Sequence, residues 1–109
     1  MGLRYGWWPY VQSMIRKYPE RDKAVENKEE LERVPQLEYE AVARAIAVTE
    51  AKEDGKERMQ LVRLVYWKNR RIQSAALDSY ISYATARRWC NEFIRTVAEQ
   101  FGVYDPPEE

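Results

Sequence analysis

KNRRIQSAALDSYISYATARRWCNEFIRTVAEQFG, residues 68–102, reads as two helices joined by a tight turn, the pattern of a helix-turn-helix. The first helix is predicted over Ile72 to Ser79 and the second over Ser82 to Phe101, with Gly102 as C-cap. Helices that cross closely need small side chains at the contact, and Ala75 and Ala76 supply them. The turn must send one apolar side chain inward, and Ile81 does so. Ser82 then accepts a free N–H of the following turn, which stabilises a helix by about 1 kcal/mol. From that cap Ala86, Trp89, Phe93 and Val97 recur at intervals of three and four and form a buried stripe. The opposite face carries Tyr83, Ala84, Arg87, Arg88 and Asn91.

That outward face suits the major groove of DNA. Arginine pairs bidentately with guanine, asparagine with adenine, and a small alanine lets the helix approach or meet a thymine methyl. The expected base-reading set is Ser82, Tyr83, Ala84, Arg87, Arg88 and Asn91, weighted toward the N-terminal half from which recognition helices read. Lys68, Arg70, Arg71, Gln73, Ser74, Thr85 and Arg95 are the expected phosphate contacts, fixing register without reading sequence. One departure stands out. The first helix of such a motif usually ends in a large apolar residue two positions before the apolar residue of the turn. Here that place holds Ser79, with Tyr80 where a glycine is common, and the expectation is that Leu77 or Tyr80 fills the gap through a slightly different turn.

Charge is distributed to match. The 109 residues carry 18 bases and 18 acids, for a formal charge of zero. Between Leu61 and Ala98 seven bases face two acids, whereas Glu20 to Arg58 holds twelve acids against eight bases, and from Glu99 onward every charge is acidic. A basic end is thereby turned toward a polyanion.

Upstream, Trp8, Val11, Ile15 and Tyr18 are spaced three, four and three, predicting a helix with Pro9 in its first turn and Pro19 at its end. Glu20 to Arg33 is either a solvated helix or a mobile linker, broken at Val34-Pro35. Leu37 to Ala51 is a helix with Leu37, Ala41, Ala45 and Val48 on one stripe and Val42 and Ile46 beside it. Asp54-Gly55 marks a turn, and Glu57 to Trp67 a further helix. The expected fold is all-α. Its organisation is an N-terminal helical region over 1–55 with a charged connector at 20–35, a helix-turn-helix region over 56–103, and an acidic disordered tail over 104–109.

Other chemistries are poorly served. Histidine is absent, which removes the commonest general base and metal ligand. The carboxylates of Glu26 to Glu32 and Glu50 to Asp54 lack a ligand loop and read as solvated faces. No glycine loop cradles phosphate, and no enzyme activity, metal or cofactor is expected. Cys90 is the only cysteine, so no internal disulfide forms, and it reads as an incidental thiol. With no membrane-span run and no signal-peptide pattern, a cytoplasmic protein is expected. Tyr5, Trp7 and Tyr10 form a candidate protein interface, with Trp8 packed inward and Trp7 the better contact residue.

Tyr66-Trp67-Lys68, leading through Ala75-Ala76-Leu77 to Ile81-Ser82-Tyr83-Ala84-Thr85-Ala86-Arg87-Arg88-Trp89, resembles region 4 of sigma factors. The resemblance is nearest to the sigma-like activators of bacteriophages, the ArpU and RinA type regulators of late packaging and lysis genes. Tyr5-Gly6-Trp7-Trp8-Pro9-Tyr10-Val11, Met14-Ile15-Arg16-Lys17-Tyr18-Pro19 and Glu38-Tyr39-Glu40-Ala41-Val42 are similar to small phage proteins of that group. The resemblance implies a phage- or prophage-encoded transcription regulator that binds double-stranded DNA, and the N-terminal helices are expected to mediate self-association (a homodimer) or contact with host RNA polymerase. Its DNA-reading positions fall on Ser82, Tyr83, Ala84, Arg87 and Arg88. Two rival functions are a small terminase subunit, binding DNA for packaging, and an interaction protein that contacts RNA polymerase without touching DNA.

Overall fold

The computed structural model describes residues 6–104, which form five α-helices and one π-helical segment with no strand among them. The helices are α1 (Trp8–Glu26), α2 (Arg33–Glu50), α3 (Gly55–Val62), α4 (Ile72–Asp78) and α5 (Tyr83–Phe101), and the π segment Arg63–Trp67 continues α3. The expected all-α class is what the chain adopts. No helix among the described residues is long and apolar enough to cross a membrane.

The longest correction concerns α1. Pro19 does not end it: the helix runs on to Glu26, taking in the first part of the charged stretch. A proline inside a helix leaves the carbonyl four residues earlier without its donor. That carbonyl belongs to Ile15, and the indole Nε1–H of Trp67 donates to it at 2.8 Å. The donor that Pro19 lacks thus comes from the π segment. Val34-Pro35 is likewise no break. Both residues lie in the first turn of α2, where a missing N–H would have had no partner within the helix.

The buried face of α2 is Glu38, Ala41, Val42, Ala45 and Thr49. Leu37 and Val48, expected on that stripe, are instead 45% and 39% exposed. The alanines decide this, because their small side chains let α5 and α1 approach closely. α3 begins abruptly at Gly55, where a Cβ would stand 2.3 Å from the carbonyl oxygen of Glu50. Only glycine allows the α2–α3 corner to close so tightly.

Three helical segments end on a left-handed residue that is not glycine, at Lys28, Asn69 and Tyr80, and Asp54, left-handed as well, is the N-cap of α3. Gly102 closes α5 in the same conformation, as its sequence predicts. One hydrophobic cluster unites all the helices, from Trp8, Val11 and Ile15 of α1 through Met59, Leu61 and Ala75 to Trp89, Phe93 and Val97 of α5. α5 is its centre, packing against α1, α2, α3 and α4.

Candidate nucleic-acid interface

The α4–turn–α5 unit is built as its residues require. Ala75 and Ala76 are buried at the crossing, and Ala86, Trp89, Phe93 and Val97 line the inner face of α5. Cys90, Ile94 and Ala98 widen that face. Burial pushes the Cys90 thiol up to about 11, so it stays protonated and unreactive near neutral pH.

Ser82 is the N-cap of α5, with its Oγ accepting from the backbone N–H of Thr85 at 3.0 Å. The same hydroxyl lies 3.0 Å from Thr85 Oγ1 and donates to it. Both functions of the Ser82 hydroxyl are therefore engaged within the helix start, and Thr85 is half-buried.

The turn differs from expectation. Neither Leu77 nor Tyr80 fills the gap beside Ile81, for they are 76% and 96% exposed. The backbone closes instead through Tyr80 at φ 58, with the N–H of Tyr80 donating to Leu77 and that of Ile81 to Ala76. This is the hydrogen-bond pattern that usually calls for glycine. Ser79, too small to fill the expected place, borders a depression of about 480 Å³ shared with Leu64, Gln60 and Tyr80. Its Oγ is buried with no hydrogen-bond partner among the described residues.

The candidate base-reading residues share one exposed surface. Tyr83, Ala84, Arg87 and Arg88 face solvent, while Asn91 is half-buried. The two arginines are held differently. The Arg87 guanidinium lies 5.8 Å from the centre of the Tyr83 ring, toward the helix start. The Nε of Arg88 lies 3.9 Å from Glu92, which also binds Arg58 at 2.5 Å. Arg87 is thus aimed at the turn end of the helix and Arg88 away from it.

Among the candidate phosphate contacts, Lys68, Arg71 and Gln73 are exposed. Arg70 is engaged inside the unit by Ser74, at 2.6 Å, and by Asp78. Arg95 is drawn onto α1, its guanidinium 5.6 Å over the Trp8 ring, which removes it from the exposed start of α5.

The aromatic N-terminal surface is more tied down than its composition suggests. Tyr5 lies outside the described residues. Trp7 is half-buried, stacked 5.7 Å from Trp8 and tilted against Tyr104 at 5.4 Å. Tyr10 is 44% exposed, but its hydroxyl donates to Glu38, which also accepts from Arg21 at 2.7 Å. Loss of solvation, then the Glu38 carboxylate, pushes the Tyr10 hydroxyl up to about 12. Among the described residues no group of three or more acidic or cysteine side chains converges as a metal site would require.

Period counting found the faces of α5 but missed Leu77, Tyr80 and Asp78. Leu77 carries the signal that could have shown it exposed, because it lies roughly 100° and 200° round the helix from the buried Ala76 and Ala75. Comparison with protein-family models, with curated proteins and with solved structures returns no match.

Proposed function

We propose that this chain is a sequence-specific duplex-DNA-binding regulator that presents the start of α5 to a major groove. One observation carries the reading. A helix with a capped, exposed N-terminus displays Tyr83, Ala84 and Arg87 on one outward face, with Lys68 and Arg71 exposed in the same unit. That combination offers a donor fork for guanine, a small side chain for close approach, and cations for phosphate. The resemblance to sigma-like phage activators extends the proposal to a phage- or prophage-encoded regulator of late genes working beside host RNA polymerase. In that setting Arg87 reads a base, and Lys68 and Arg71 set register.

The test is selection from a random duplex pool, followed by binding of the enriched duplex at about 50 and 200 mM salt. Enrichment of one sequence, steep loss of affinity with salt, and relaxed preference in Arg87→Ala are the expected results. A folded protein that enriches nothing and binds no duplex would overturn the proposal and favour a protein-contact role. A large ring by mass measurement would favour a packaging subunit instead.

A further inference from the structure

Between Leu61 and Ala98 there are two acids, and both sit on arginines. Glu92 binds Arg58 and approaches Arg88. Asp78 binds Arg70, and the same Nη2 of Arg70 donates to Ser74 Oγ. Ser74 and Asp78 are four apart on one face of α4, and Arg70, from the connection that precedes the helix, reaches along that face to both. Asp78 is the last residue of that helix, where the helix dipole disfavours an anion. Helix stability therefore does not account for a carboxylate there. The pair is also open to solvent, its side chains 36% and 54% exposed, so it is readily exchanged. A phosphate offers the Arg70 guanidinium the same oxygen acceptors that Asp78 now supplies.

We propose that Asp78 is a built-in competitor for the phosphate site of Arg70, an anion that the DNA backbone must displace before Arg70 can contribute. The proposal rests on the DNA-binding reading above. It gives α4 a regulatory role: the Arg70–Asp78 pair must be broken before Arg70 can meet a phosphate, which weakens every sequence alike. Arbitrary duplex, which offers no base contacts to offset that cost, then falls below useful affinity first.

The experiment measures fluorescence anisotropy of a labelled random-sequence duplex against the full chain, Asp78→Asn, Arg70→Ala and the double variant. Asparagine keeps the shape and removes an anion from a helix C-terminus, so the fold is retained. Asp78→Asn is expected to bind about tenfold tighter at low salt, with the slope of log affinity against log salt steeper by about one. That gain is expected to vanish when Arg70 is also replaced. No gain, or a gain that survives loss of Arg70, would overturn the assignment while wild-type binding still upheld the DNA reading. Failure of all four chains to bind any duplex, with helical circular dichroism intact, would overturn both.

Discussion

In the α1–α2 half, Arg21, Glu38 and Tyr10 close a network around a carboxylate that is 6% exposed, whereas in the α4–α5 half Arg70 and Asp78 pair in the open. The partners are chemically alike and the settings opposite. A buried carboxylate without its cation is strongly unfavourable, because nothing replaces the lost solvation. An exposed pair gains little from its own Coulomb attraction, because water screens it and the side chains lose freedom in holding it. The first arrangement fixes how α1 meets α2. The second leaves charges free to change partners, as the proposed DNA surface would require.

The sharpest way to break this comparison is to remove one cation from each half. Arg21→Ala strands Glu38 and should cost about 3–5 kcal/mol. Arg70→Ala should cost about 0–1 kcal/mol. Urea denaturation of both variants decides it; equal losses would show that burial does not separate the two pairs.

Alkaline pH probes the same network without mutation. The Tyr10 hydroxyl, desolvated and beside Glu38, is raised to about 12, and Tyr39, bonded to Asp22, is likewise raised to about 12. In the unfolded chain both ionise near 10, so stability is intact below pH 10 and falls as pH rises toward 12. Urea midpoints should be level from pH 8 to 9 and drop beyond 10, and the drop should shrink in Tyr10→Phe.

A smaller effect is expected at the Pro19 site. Trp67→Phe removes the donor to the Ile15 carbonyl and should cost about 1–3 kcal/mol. In a Pro19→Ala background the helix supplies its own N–H to that carbonyl, so the cost of Trp67→Phe should shrink. A double-mutant cycle with no coupling would show that Pro19 and Trp67 act independently.

This pair also marks where the sequence was legible and where it was not. The faces of α5, its Ser82 cap and its Gly102 end follow from local pattern, because a 3.6-residue period and two capping residues act within the segment itself. Pro19 misleads for the opposite reason: its missing hydrogen bond is made good by a residue 48 positions away, a compensation no local rule contains. The end of α1 before Lys28 was hidden because the left-handed conformation is adopted there without glycine. At the candidate site, the exposed order of Tyr83, Ala84, Arg87 and Arg88 was readable from period alone. The engagement of Arg95 by Trp8 was not, since it depends on where α1 lies.

Tyr80 gives the finest test of the contrast between the two halves. A tyrosine at φ 58 is sterically disfavoured, and with 96% exposure its ring recovers nothing by packing. Tyr80→Gly should therefore stabilise the fold by about 1 kcal/mol, seen as a higher urea midpoint with an unchanged slope. The turn closes through backbone N–H groups of Tyr80 and Ile81, which glycine preserves, so α5 and Ser82 should keep their positions. Stability alone would thus favour glycine, and the ring must be judged by what it does outside the fold. If Tyr80→Gly is more stable but weaker on duplex, the ring belongs to the binding surface, and the strain at the turn is held for contact. If it is more stable and binds equally well, the proposed surface begins at Tyr83, and any contact with duplex runs through α5 and its cations alone.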